Sequence, residues 1–129
     1  MALPKEKLKL QGLRGAITTQ GNEVETIEES VTKLVKELVN RNELNPEHIV
    51  SITFSVTADL DACFPAAIAR RQPGWENIAL LDCQQMSVKG DLCFCIRIMA
   101  HVWMPINQKP QHPYLGEAIL LRPDRSTNN

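Results

Sequence analysis

Arg97 stands between Ile96 and Ile98 in CIRIM (95–99), an otherwise apolar stretch. A guanidinium in such company requires an anion, because an unpaired charge is strongly disfavoured away from water. Either a protein carboxylate or a bound ligand must supply it. Upstream, an apolar run at 78–81 ends at Asp82, and Cys83, Gln84 and Gln85 read as a polar turn. A Lys89-Gly90-Asp91 corner then sends the chain back through residues 92–104. Read as strand, turn and strand, this brings the Asp82 carboxylate, the Gln85 amide and Arg97 to one sheet end. Arg14 is a second candidate, since its neighbours Gly12, Gly15 and Ala16 are small enough for a ligand or another chain to approach. These groups suit the binding and polarising of an anionic ligand. Nucleophilic chemistry at Cys63 or Cys83 is poorly supported, because no His or acid stands at a credible partner position.

The elements that must position these groups read as follows. Residues 8–19 form a first strand, and 22–42 a helix with Ile27, Val31, Leu34, Val35 and Leu38 on one face. Asn22 and Glu25 resemble a capping box for that helix. Residues 49–57 alternate cleanly, with Ile52, Phe54 and Val56 opposed to hydroxyl side chains. Pro65 opens a short helix carrying Arg70 and Arg71, preceded by Phe64 and ended by Pro73-Gly74. After a proline-punctuated loop, 114–121 reads as the last strand, stopped by Pro123. The order is strand, long helix, strand, short helix and three strands, an α+β layout with a mixed sheet and helices on one face. No further helix is left to cover the other face, so self-association is expected.

With 129 residues the chain reads as one domain, 11–124, between a polar lead at 1–10 and a mobile tail at 125–129. A net charge of −1 gives no indication of nucleic acid or an anionic membrane as partner. No apolar run is long enough to span a bilayer, and MALPKEKLKL lacks the apolar centre of a signal peptide. A cytoplasmic location is expected, or a stromal one after removal of a transit peptide. Cys63, Cys83, Cys93 and Cys95 read as free thiols acting as small buried hydrophobes, the last two on one strand face. Their spacing, with His48, His101 and His112 scattered, does not support a metal site.

Five segments carry a resemblance: GLRGAITT (12–19), TADLDACFPAAIAR (57–70), LDCQQM (81–86), CIRIM (95–99) and HPYLGEAILLRPD (112–124). In order and spacing the chain resembles the small homotrimeric chorismate mutases. The resemblance implies a trimer forming a pseudo α/β barrel, with the sheets meeting centrally and one active site at each of three interfaces. It implies rearrangement of chorismate to prephenate, in the shikimate pathway to phenylalanine and tyrosine. That reaction shifts bonds within one molecule, so no cofactor or metal is expected. By resemblance Arg97 bonds the substrate's ether oxygen and a carboxylate, Arg14 binds a carboxylate, and Tyr114 donates its hydroxyl. Phe64 and Leu121 are apolar walls, and Ala66, Leu81 and Cys83 line the pocket. Arg70 is a cation at its mouth, and Arg122 adds positive potential.

This chain departs from the family pattern in three places. Gln85 stands where a Glu is common, Asp82 where an uncharged residue is common, and Ala67 where a Lys is usual. The first two read as a relocated carboxylate: Asp82 orients the substrate's ring hydroxyl through a charge-assisted bond, and Gln85 becomes a neutral helper. The alternatives are that Asp82 pairs with Arg97 or caps the turn. At the level of function, the alternative is a trimeric module of the same fold that binds an aromatic-pathway metabolite without turnover. Retention of Arg14, Arg97 and Tyr114 together favours the enzyme.

Overall fold

The computed structural model describes residues 7–122. Strands β1 (Leu8–Thr18), β2 (Ile49–Val56), β3 (Ala79–Gln84), β4 (Cys95–Pro105) and β5 (Tyr114–Leu115) form one mixed sheet in the order β3-β2-β4-β1-β5. β4 runs antiparallel to both β1 and β2, whereas β3 lies parallel to β2 and β5 parallel to β1. Helices α1 (Val24–Asn42) and α2 (Pro65–Ala69) contribute to a core with the sheet. β1 begins at Leu8, where the first strand is expected, so residues 8–10 of the polar lead belong to it. The tail at 125–129 and the Pro123 stop lie outside the described residues. Among those residues, no helix is long and apolar enough to cross a membrane.

The core follows from two periodicities. Ile27, Val31, Leu34, Val35 and Leu38 are buried on α1. They join Ile52 and Phe54 of β2 and Ile96, Ile98, Ala100, Val102 and Met104 of β4, the alternate residues of each strand. The opposite face of the sheet has no α-helical cover, although Ala118 of the 3-10 helix Gly116–Leu121 packs there against Ala16 and Cys95. Leu10 is 52%, Met99 36% and Trp103 44% exposed there.

Three local expectations are corrected. The capping box sits one residue later: the Thr26 hydroxyl accepts from Glu23 N at 3.2 Å. Asn22 instead clasps the loop before α2, its Oδ1 accepting from Asp61 N at 2.9 Å and Ala62 N at 3.0 Å. Residues 114–121 are not a strand, because β5 stops at Leu115 and a 3-10 helix (Gly116–Leu121) follows. Gly116 turns the chain at φ +60°, and Thr18 Oγ1 caps the turn by accepting from Glu117 N at 3.0 Å. The short helix α2 ends at Ala69, so Arg70 is its C-cap and Arg71 lies beyond it, paired with Glu28 of α1.

Asn42, 1% exposed, fastens α1 to the loop after β4. Its Nδ2 donates to Leu38 O and Gln111 O, both at 2.9 Å, and its Oδ1 accepts from Gln111 N at 2.8 Å. Asn42→Ala is expected to destabilise the protein by roughly 1–3 kcal/mol, because it strands partly buried backbone groups of Gln111. The urea-unfolding midpoint measures this, and an unchanged midpoint would rule the clasp out as a stabilising contact.

Candidate active site

Strand alternation puts Cys95, Arg97, Met99, His101 and Trp103 on the face of β4 without α-helical cover. Arg97 therefore projects away from the core, beside Ser55 of β2 and Ala16 of β1. The anion that answers it is a protein carboxylate, Asp91, whose Oδ1 and Oδ2 accept from Arg97 Nη2 at 3.2 and 3.4 Å. Arg97 Nε is buried with no hydrogen-bond partner among the described residues. The segment leading into β4 is held from the loop that follows β2. Phe94 adopts φ +51°, with its N–H donating to Asp59 Oδ2 at 3.0 Å. Cys95 N donates to Thr57 Oγ1 at 3.0 Å, and the same hydroxyl donates to Asp59 Oδ1 at 2.5 Å.

Arg97 opens on a cleft of about 370 Å³ whose lining includes Arg14, Thr53, Ser55, Met99, Tyr114, Leu121 and Arg122. Three of the expected residues, Arg14, Tyr114 and Leu121, thus converge on Arg97, and Arg122 accompanies them. Arg14 is exposed, its backbone N–H bonded to His112 Nδ1 at 3.0 Å. Tyr114 is 7% exposed, and the Arg122 guanidinium lies 6.0 Å from its ring centroid. Gln85 is tied to this face by Ser55, whose hydroxyl donates to Gln85 Oε1 at 2.5 Å. The hydroxyl residues of β2 thus serve the cleft, a use that their alternation alone did not reveal.

Asp82 is not brought to this cleft. The polar turn expected at 83–85 is absent, because parallel pairing with β2 carries β3 on through Asp82 and Cys83 to Gln84. Asp82 pairs with Phe54, whose side chain faces the helices, so within one chain it lies on the opposite sheet face from Arg97. It caps α2, its Oδ1 accepting from Ala66 N at 3.0 Å. That matches the capping alternative, with a helix start in place of a turn. Burial pushes the Asp82 carboxyl above its ordinary range, against the opposing pull of the Ala66 N–H and Arg70.

Asp82 lines a second pocket with Cys63, Phe64, Ala67 and Cys83, among others. Phe64 is 70% exposed, so it is no core anchor, whereas Ala66 beneath it is buried. Arg70 and Leu81 are exposed nearby in sequence. The reading of all four thiols as buried hydrophobes holds only for Cys95. Cys63 is half-buried, Cys83 and Cys93 are exposed, and Cys93 precedes β4 and so shares no strand face with Cys95. Burial raises the Cys95 thiol pKa despite Arg97 beside it, and burial likewise raises that of Cys63. Among the described residues, no group of three or more His, Cys, Asp or Glu side chains is placed to hold a metal ion.

A sequence profile for chorismate mutase type I matches residues 10–125. The chain is 35% identical over 120 residues to the chorismate mutase AroH of Bacillus subtilis (strain 168), covering 92% of this chain and 94% of that one. It is also 35% identical over 118 residues to chorismate mutase AroH of Thermus thermophilus, covering 89% and 95%. A solved chorismate mutase from Clostridium thermocellum superposes with a TM-score of 0.77 at 40% identity, covering 85% of this chain and 98% of that one.

The raised Asp82 carboxyl has a signed consequence for stability. A carboxyl whose folded pKa exceeds the unfolded value binds protons more readily when folded, so it disfavours folding as pH rises through that interval. Asp82→Asn keeps an oxygen for Ala66 N but removes the charge. It is expected to be more stable than the parent at about pH 7, with the difference shrinking as pH falls and gone by about pH 3, below the unfolded carboxyl's pKa. Unfolding midpoints at the two pH values check this, and a variant less stable at neutrality would reverse the sign.

Proposed function

The chain belongs to the chorismate mutase type I family and is itself a chorismate mutase, an isomerase of aromatic amino acid biosynthesis, and we propose that it works as a homotrimer with composite sites. Each site combines the cleft around Arg97 of one subunit with the pocket around Phe64 of the next. The observation that carries this reading is the separation of the expected residues within one chain. Arg14, Arg97, Tyr114 and Leu121 share one cleft, while Phe64, Asp82 and Cys83 share another. The exposed apolar side chains on the uncovered sheet face support assembly. With the sheets turned inward and α1 outward, three copies make a pseudo α/β barrel. The free thiols accord with a cytoplasmic enzyme.

Rearrangement of chorismate to prephenate asks two things of the protein. It must hold a flexible dicarboxylate in its compact, reactive shape, and stabilise the negative charge that grows on the ether oxygen. Arg97 meets the second demand. Its planar fork presents several donors at fixed angles, and the side chain lines the cleft. Arg14 binds a carboxylate at the cleft, Tyr114 donates its hydroxyl, and Leu121 walls the ring. Gln85, held by Ser55, presents its amide N–H₂ as a neutral donor. From the second subunit come Phe64 as a lid wall, Ala66, Leu81, Asp82 and Cys83 as lining, and Arg70 as a cation at the mouth. Arg70 partly offsets the absence of a cation at Ala67.

Arg97→Ala is expected to lower kcat/KM by about a thousandfold with the fold intact, the scale set by losing one fixed donor to developing charge. Arg97→Lys should recover little of it, because a point charge does not reproduce a fork. Chorismate absorbance decay measures both, and near-normal turnover in Arg97→Ala would refute its role.

The composite site makes a separate prediction. Light scattering should return about three times the 14.5 kDa chain mass. Arg97→Ala and Arg70→Ala subunits, each weak alone, should regain about a quarter of parental activity when unfolded and refolded together in equal amounts, because one site in four then joins two intact halves. No gain on mixing would put both arginines in the same subunit's site.

A further inference from the structure

We propose that Asp91 is a positioning residue for the rearrangement, fixing the plane of the Arg97 guanidinium so that the donors it leaves unengaged are presented to the reacting ether oxygen. This rests on the reading of Arg97 as the principal donor. Sequence reasoning passed over Asp91 as the last residue of a corner.

The contact is built rather than incidental. Asp91 Oδ1 accepts from Leu92 N at 2.8 Å, and Asp91 N donates to Val88 O at 3.1 Å across a turn in which Gly90 adopts φ +87°. The carboxylate is therefore held by its own backbone before it meets Arg97. The Arg97 and Asp91 side chains are only 27% and 21% exposed, so solvent screens the pair less than it would a surface ion pair. Asp91 engages Nη2 and leaves Nε alone. Because the guanidinium is planar, holding one terminal nitrogen fixes the direction of the others.

A negative charge beside Arg97 also has an opposing effect: it weakens the pull of the cation on an incoming dianion. Positioning and competition thus predict opposite signs. If Asp91 positions Arg97, Asp91→Ala lowers kcat by about ten- to a hundredfold, the scale of a small misplacement, while KM moves less than about threefold. Asp91→Asn, whose Oδ1 can still accept from both Leu92 N and Arg97, restores most of kcat. Circular dichroism melting and trimer mass confirm that both variants fold. An unchanged or raised kcat in Asp91→Ala, or an Asp91→Asn no better than Asp91→Ala, overturns the proposal. Arg97→Ala is assayed in parallel. If it is inactive while Asp91→Ala keeps parental kcat, the positioning role fails and the function stands. If Arg97→Ala retains full activity, the underlying site reading fails first.

Discussion

A charged side chain in the middle of a five-stranded sheet is tolerable only on a face that the helices leave uncovered. β4 makes this plain. Its helix-facing residues Ile96, Ile98, Ala100, Val102 and Met104 are all buried and apolar, and the single guanidinium occupies the alternate set. Every feature of the cleft follows from that placement. Arg14 arrives from β1 and Ser55 from β2 because those strands flank β4. Tyr114 arrives because β5 pairs with β1 at Ala16, which pairs with Arg97. The missing layer that leaves Leu10 and Trp103 in water is thus also what makes room for a cation at the centre of the molecule.

The same arrangement suits electrostatic catalysis. A charge is most effective where water is sparse and its donors need not reorganise. In the proposed trimer, the apolar surface around Arg97 would supply the first condition once a second copy covered it. The carboxylate at Asp91 and the fixed turn behind it supply the second. Assembly and catalysis would then be one event: a separated subunit would hold the donor but lack the walls that exclude water.

The elements governed by strong periodicity were readable from the chain itself. The five apolar positions of α1 and the alternation of β2 fall where expected, because burial on one face is enforced every few residues. The failures share a different cause. Asp82 looks like the stop of an apolar run, yet parallel pairing with β2 extends β3 past it, and pairing partners are not written in local sequence. Residues 116–121 are apolar enough for a strand, but the backbone turn at Gly116 and the Thr18 cap decide otherwise. The carboxylate that answers Arg97 is six residues upstream, and only the geometry of the intervening turn joins them. Roles for Arg14, Tyr114 and Leu121 were suggested only by likeness to a family, whereas their convergence on one cleft required coordinates.

Phe94 carries a consequence beyond its own backbone. A left-handed conformation at a non-glycine residue costs on the order of 1–2 kcal/mol, and Asp59 and Thr57, bonded to each other, hold the chain there by accepting from Phe94 N and Cys95 N. Those bonds help set parity. Were β4 to advance by one residue, the guanidinium would swing into the greasy interlayer and an isoleucine would take its place in the cleft. An aspartate and a threonine that do not line the cleft thereby help the β1 and β2 ladders fix which side of the sheet carries the guanidinium.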